Sequence, residues 1–401
     1  MRILSLNNGD LKKELLKVGV SQEAIPIFLK KSKMVALKLE SLSQASCNIL
    51  KQIALTCDSD CAIHRKVIYG RKKKGDAILI TTIRGLEKIC EKLAYQPEFL
   101  KGLKESLENF LKSYKEKDSF LLKFKDRTYN LKDRVLLMGI LNLTPDSFYD
   151  GNKFRNVKEA VDYALKMEEE GADIIDIGGE STRPGSEPVP LKEELNRVLP
   201  VLKELKKKVK IPISIDTYKS EVARICLDEG CEIVNDISAL NFDKKMANVI
   251  AFYNAYCILM HIKGKPKTMQ KKVYYKDVIK EIYDYLKARI DYAVDNGIKR
   301  EKIIIDPGIG FGKLLEHNLE IIRRLEEFKS LNLPILIGHS RKSFIGKILN
   351  YEEPEKRLFG SLGCAVLLAL KGANILRVHD VKETKEAIKI YEAIMKNACD
   401  F

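Results

Sequence analysis

Eight short, apolar, β-branched runs recur through the last two thirds of the chain. They are Val135–Leu141, Ile174–Ile177, Ile211–Ile215, Ile233–Val234, Ile258–Met260, Ile303–Ile305, Ile335–Ile337 and Ile375–Leu376. Each stops at a polar or charged residue and is followed by an amphipathic stretch. Runs that are apolar throughout, rather than alternating, mark strands covered on both faces, as in a parallel sheet. The stretches between them are helical: Val157, Val161, Ala164 and Leu165 share one stripe, and Val278, Ile282, Tyr285, Leu286 and Ile290 share another. Eight strand-helix units within residues 131–401 match the roughly 250 residues of a (β/α)8 TIM barrel. A doubly wound open sheet accepts the same runs, but eight near-equal units argue for closure.

Residues 1–130 carry a different pattern and are expected to form a separate small, basic α+β domain. A strand is expected at Arg2–Leu6, helices near 10–18 and 21–31, a strand near Met34–Leu39, a helix near 42–54 and a long helical region over 84–115. Lys66–Tyr69 and Ala77–Thr82 read as the two strands of a hairpin. Its tip would be Arg71-Lys72-Lys73-Lys74, bracketed by Gly70 and Gly75. The polar stretch Ser113–Asp118 reads as a linker, and Phe120–Phe124 as a strand capping the barrel bottom.

Charge follows the same division. Residues 1–132 hold 27 Lys+Arg against 15 Asp+Glu and residues 133–401 hold 44 against 41, so the first third carries nearly all of the net +15. A basic surface can meet nucleic acid, but a solvated hairpin tip accounts for the densest run, and no nucleic-acid partner is expected. The nine cysteines are odd in number and scattered, which fits reduced thiols in a cytosol rather than a disulfide framework. Cys57, Cys61 and His64 are zinc-ligand types without an obvious fourth ligand, so they read as ordinary buried thiols beside a histidine. No apolar run approaches the roughly 18 residues of a membrane span, and a soluble, cytoplasmic protein is expected.

Barrel enzymes carry their reactive groups at the C-terminal ends of the strands. Here the runs end, in order, at Asn142, Asp176, Asp216, Asn235, His261 and Asp306, then Ser340-Arg341-Lys342, then Arg377 with His379. One Asp at a strand end is commonly a helix cap; eight hydrogen-bonding ends in succession are not a packing outcome. Carboxylates and carboxamides (Asp176, Asp216, Asn235, Asp306) occupy one arc and cations (Lys342, Arg377, His379) another. The ligand should therefore pair a flat, donor-rich heterocycle with an anion, and the loops after late barrel strands are a habitual phosphate site. Asn142, with Thr144, Asp146 and Ser147, offers hard oxygens suited to the Mg2+ that usually accompanies a diphosphate.

Two long connections after the first two strands, Leu141–Phe148 and Gly178–Gly185, read as lids over the mouth. Asp306-Pro307-Gly308-Ile309-Gly310-Phe311-Gly312-Lys313 lacks phosphate-loop spacing, and its glycines are expected to let the backbone pass close to a flat ligand. Together with Asn142–Phe148, Ser214-Ile215-Asp216-Thr217, Asn235-Asp236-Ile237, Leu259-Met260-His261, Ser340-Arg341-Lys342-Ser343 and Arg377-Val378-His379-Asp380-Val381, these segments resemble the dihydropteroate synthase family, in order, over about residues 135–385. The resemblance does not reach residues 1–130.

The resemblance implies condensation of a dihydropterin-methyl diphosphate with 4-aminobenzoate to dihydropteroate and diphosphate, a folate-synthesis step that sulfonamides block. It implies that Asp216, Asn235, Asp306 and Lys342 hold the pterin ring with Asp176 close by. Asn142 would meet Mg2+ and the diphosphate, and Arg377 and His379 the departing phosphates. Thr182 would touch the diphosphate or the aminobenzoate, whose pocket Arg183, Pro184, Phe311 and Ser343 would shape. Asn152, where the family often has a glycine, and Ile309, where an aromatic is frequent, depart from the pattern. The two substrates and a second copy of the chain, in a homodimer, are the expected partners. A pterin-dependent methyltransferase on the same barrel is the nearest alternative, but it needs no diphosphate site.

Overall fold

The computed structural model describes residues 8–115, 120–132, 134–144 and 156–395. The strand expected at Arg2–Leu6 lies outside them, as do Asp146, Ser147 and Asn152 of the first long connection. The chain forms two compact units, Met1–Lys117 and Asp118–Phe401. Among the described residues no helix is long and apolar enough to cross a membrane.

In the first unit, β1 (Met34–Ser43), β2 (Asp60–Ile63) and β3 (Lys74–Thr82) form an antiparallel sheet with β3 in the centre. The alternation of β3 turns Ala77, Leu79 and Thr81 inward. There Leu79 joins Leu50 of the helix Gln44–Leu55, and Leu86 and Ile89 of the helix Ile83–Leu93, in one core. Both helices start from a strand end with a side-chain cap: Ser43 Oγ accepts from the Ser46 amide at 3.0 Å and Thr82 Oγ1 from the Gly85 amide at 3.0 Å.

The expected hairpin is corrected here. Arg65–Ile68 is a single helical turn, with His64 Nδ1 accepting from the Lys66 amide at 3.1 Å and Val67 buried. The strand that pairs with β3 on the side away from β1 is Asp60–Ile63, in register Cys61 to Leu79. Cys57 and Cys61 lie in the core while His64 is spent on its cap.

In the second unit, β4 (Leu121–Lys123) and β5 (Thr128–Asn130) form a small hairpin. Eight parallel strands follow: β6 (Leu136–Asn142), β7 (Ile174–Gly178), β8 (Ile213–Asp216), β9 (Ile233–Asp236), β10 (Tyr256–Met260), β11 (Ile303–Asp306), β12 (Leu336–Gly338) and β13 (Ile375–Val378). Each pairs with its neighbour in a single sheet in which β13 returns to β6, and a bridge between Ile305 and Ile335 joins β11 to the start of β12. This is the closed (β/α)8 barrel expected.

Residues alternate between two cores. Leu136, Met138, Ile174, Ile233, Tyr256, Ile258, Ile304, Leu336 and Ile375 fill the interior near the strand starts. Leu137, Ile175, Ile177, Ile215, Val234 and Leu259 face the outer helices. The hairpin plugs the interior from below. Leu122, Tyr129 and Leu131 join the inner cluster, the Tyr256 hydroxyl accepts from the Lys123 amide at 2.6 Å, and the Tyr129 hydroxyl donates to the Asp173 carbonyl at 2.9 Å. The hairpin belongs to the barrel by packing. The division of the chain accordingly falls at 117/118, inside the expected linker, rather than at 130/131.

Candidate active site

Strand register sets the depth of each polar end. Gly178 of β7 pairs with Asp216 of β8, and Asp216 with Asn235 of β9. Asp176, two residues before Gly178, therefore lies one layer deeper than Asp216. Both carboxylates are buried, as are Asn235 and Asp306. They are joined by Arg377, which the sequence places with the phosphate-side cations. Its Nε donates to Asp176 Oδ2 at 2.6 Å and its Nη2 to Asp216 Oδ2 at 2.9 Å. Asn235 Nδ2 also donates to Asp176 Oδ2, at 3.1 Å. Asp176 Oδ1 and Asp216 Oδ1 remain buried without a hydrogen-bond partner. A buried acceptor left unmet costs about 1–3 kcal/mol, so the two oxygens mark where ligand donors belong.

The electrostatics of this cluster follow from dryness and crowding. Burial lifts the Asp216 carboxyl from its ordinary 3.8 to about 7, with Arg377 opposing the rise and Asp176 adding to it. Burial likewise lifts Asp306 to about 6, against the hydrogen bond its Oδ1 accepts from the Gly308 amide at 2.7 Å and the charge of Lys342. Lys342 is pulled down to about 8 by burial, with Asp306 working the other way. Its Nζ donates to the Ile309 carbonyl at 2.9 Å and lies 4.0 Å from the Phe311 ring centroid. The structure thus brings Lys342 to the Phe311 ring and within electrostatic reach of Asp306, and joins Asp176, Asp216, Asn235 and Arg377 in one hydrogen-bonded cluster.

The loops after β12 and β13 are zipped to each other. Ser340 Oγ accepts from the His379 amide at 3.2 Å and lies 3.1 Å from its Nδ1, while Arg341 donates to Asp380 through Nε at 3.0 Å and Nη2 at 2.5 Å. Arg341 has φ 55°, a left-handed conformation costly for a residue with a Cβ, and the paired hydrogen bonds to Asp380 hold it there. Ser343 is exposed at the start of the helix Ser343–Leu349. In the second loop Thr182 is half-buried, and Arg183 and Pro184 are exposed.

Asn142 ends β6 half-buried. A Cβ added at Gly178 would lie 3.6 Å from the Asp216 Cβ and 3.7 Å from Asn142 Oδ1, so the glycine keeps space open between the two side chains. That oxygen fits Mg2+ as one neutral, hard ligand, since the ion usually keeps waters and substrate phosphates in its remaining positions. Among the described residues no group of three or more His, Cys, Asp or Glu could hold a metal ion by itself.

Sequence reasoning missed several buried polar groups. Lys313 is fully enclosed: its Nζ lies 2.9 Å from His261 Nδ1 and donates to the carbonyls of Phe311 at 3.0 Å and His261 at 3.3 Å. Burial pushes both Lys313 and His261 well below their ordinary values. Glu180, Tyr218 and Lys219 form a second unforeseen group beside the mouth. Glu180, His261 and Lys313 lie within the quoted segments and could have been flagged by residue type, whereas Tyr218 and Lys219 follow directly after one of them.

Comparison with known proteins places this geometry. The family model described as pterin binding enzyme matches residues 138–379. The dihydropteroate synthase of Escherichia coli is 48% identical over 259 residues, covering 65% of this chain and 91% of that protein. The Xanthomonas albilineans dihydropteroate synthase solved with 4-aminobenzoic acid superimposes with a TM-score of 0.65 at 40% identity, covering 69% of this chain and 99% of that one. The same enzyme solved with 7,8-dihydropteroate gives a TM-score of 0.62 at 38% identity and the same coverage.

Proposed function

The chain belongs to the pterin-binding enzyme family, among the dihydropteroate synthases, and from that premise we propose how its own residues condense a dihydropterin-methyl diphosphate with 4-aminobenzoate. The relatives are synthases in folate synthesis, which sets aside the pterin-dependent methyltransferase. The observation that carries the residue assignment is the pair of unpartnered oxygens, Asp176 Oδ1 and Asp216 Oδ1, beside Asn235 and within reach of Arg377.

A pterin edge offers amino and ring N–H donors, and a buried carboxylate is the strongest acceptor for them. Asp216 and Asn235 read that edge, Asp176 holds Asn235 and Arg377 from the layer below and keeps its unmet Oδ1 for a ligand donor, and Asp306 with Lys342 holds the ring. The reaction breaks the C–O bond to diphosphate and forms a C–N bond to the arylamine. An arylamine is already neutral near pH 7, so no strong base is required to start the attack. The burden falls on charge. Asp216 and Asp306 favour the positive charge that builds on the pterin, and His379 faces the departing phosphates. Arg377 has five N–H donors, of which its two carboxylate bonds use two. Those left over are offered to the diphosphate. When bound, Mg2+ held at Asn142 would neutralise diphosphate charge. Thr182, Arg183, Pro184, Phe311 and Ser343 shape the aminobenzoate pocket.

A homodimer fits the surface: the adjoining helices Leu358–Leu370 and Val381–Met395 leave Phe359, Leu370, Ile390 and Ile394 exposed, apolar side chains that a second copy could cover. A cytoplasmic location fits the free, buried thiols. Turnover with pterin diphosphate, several arylamines and Mg2+, followed by diphosphate release, tests the reading. Intact pterin binding without diphosphate release would overturn it.

A further inference from the structure

The second loop does not hang freely from the barrel. It leaves β7 at Gly179, where a Cβ would come within 2.8 Å of Val198 Cγ2 and 3.1 Å of the Glu194 carbonyl, so the backbone lies directly on the helix Leu191–Lys208. Arg197 Nη1 from that helix donates to the Gly179 carbonyl at 2.7 Å. The next residue, Glu180, is buried and closes the neck: its Oε2 accepts from the Val189 amide at 3.2 Å, nine residues on, where the loop returns. The same carboxylate accepts the Tyr218 hydroxyl on Oε1 at 2.6 Å and is ion-paired to Lys219, which also pairs with buried Glu194.

Tyr218 and Lys219 follow Asp216 by two and three residues, so the neck of the second loop is fastened to the segment that carries a pterin carboxylate. Tyr218 also reaches the other way. Its ring packs edge-on to Phe242 at 5.5 Å, in an apolar cluster with Met260, Ile262, Met269 and Phe311. The far side of the loop is tied as well: the Gly185 amide donates to the Pro266 carbonyl at 3.0 Å and Lys267 pairs with Glu187 at 2.7 Å.

We propose that Glu180, Tyr218 and Lys219 act as positioning residues for the arylamine. They hold the second loop, and with it Thr182 and Arg183, in register with Phe311, while leaving the pterin cluster to bind on its own. The inference rests on the functional reading above in taking the loop tip and Phe311 as the arylamine pocket. A closed neck lets the loop keep one shape between turnovers, which reduces the ordering cost when the second substrate arrives.

Two variants test this. Tyr218→Phe removes one hydroxyl donor and keeps the ring, so the fold is preserved; Glu180→Gln keeps the shape and removes the charge. Both should raise KM for 4-aminobenzoate by about tenfold, the loss of a charge-assisted hydrogen bond, and leave the Kd of the pterin diphosphate within about twofold. Amides of residues 181–190 should exchange faster in the free variants than in the unaltered protein. Equal losses for both substrates, or unchanged exchange in that segment, would overturn the proposal. Absence of turnover in the unaltered protein would instead sink the functional reading, and the exchange measurement would still decide whether the cluster sets the loop.

Discussion

Replacing Asp216 by Asn should weaken pterin binding by a calculable amount and change its pH dependence. The carboxylate has one oxygen on Arg377 at 2.9 Å and one buried oxygen with no partner. A hydrogen bond to a charged acceptor contributes about 1.5–3 kcal/mol, so its loss should raise Kd about 10- to 150-fold. In the unaltered protein the carboxyl titrates at about 7, and only the ionised form accepts from two donors. Affinity should therefore fall about tenfold from pH 8 to pH 6, with close to one proton released on binding at pH 6.

The sign for stability is opposite. Burial raises the folded-state value above the ordinary 3.8. Between about 4 and about 7, then, the folded protein holds a proton that the unfolded chain has released, and the contribution of this group to stability is lost as pH rises through that window. Ligand and fold thus pull the same proton in opposite directions. Calorimetry of the pterin in buffers of different ionisation enthalpy reads both the affinity and the proton count, and thermal unfolding reads the stability. A Kd unchanged in Asp216→Asn, or an affinity flat between pH 6 and pH 8, would refute the placement of Asp216 against the ring.

Three further outcomes are expected. Asp306→Asn should also weaken pterin binding, with the remaining pH dependence flattening near pH 6, where its carboxyl titrates; calorimetric affinity equal to the unaltered protein would remove it from the ring contacts. Arg183→Ala should lower turnover more than pterin affinity, because an exposed loop-tip residue acts once both substrates are enclosed; equal losses would place it in the pterin pocket. Removing Met1–Lys117 should leave a folded barrel, which keeps its own core. Its kcat/KM should show the same salt slope as the full chain, whereas steering by the basic unit would make the truncated slope shallower.

The barrel was legible because each of its strands is a local object: a short β-branched run buried on both faces needs no knowledge of its partner to be recognised. The first unit was less legible for the converse reason. Lys66–Tyr69 is β-branched enough to read as a strand, yet four residues are too few for periodicity to decide, and the His64 cap with buried Val67 winds Arg65–Ile68 into a turn. The true partner strand, Asp60–Ile63, carries only Cys61, Ala62 and Ile63 as apolar residues. It is a strand because β3 offers it hydrogen bonds along Ala77–Ile80, and that offer is invisible from its own composition.

The site divides the same way. The ends of the runs can be read in the sequence, so Asn142, Asp176, Asp216, Asn235, Asp306, Lys342, Arg377 and His379 could be put forward without coordinates, although Asp176 lies inside β7, a layer below Asp216. How they pair does not follow, since the pairs are far apart in the chain: 201 residues separate Arg377 from Asp176, 39 separate Lys219 from Glu180 and 52 separate Lys313 from His261. In chain order the carboxylates precede the cations, which by itself predicts two arcs. Closure removes that separation. Because β13 pairs with β6 and β6 with β7, only β6 lies between Arg377 and the strand of Asp176, two strand spacings of about 4.8 Å each. A guanidinium on a long stem spans the gap, so the last cation of the chain is set among its first buried acids. The same logic explains Lys342 beside Asp306, where β11 and β12 adjoin. Asp176 and Asp216 thus share a cation that closure brings across β6 from β13, Asp306 has one from the segment after the adjoining β12, and the net charge that a bound ring meets is set by barrel closure rather than by any single motif.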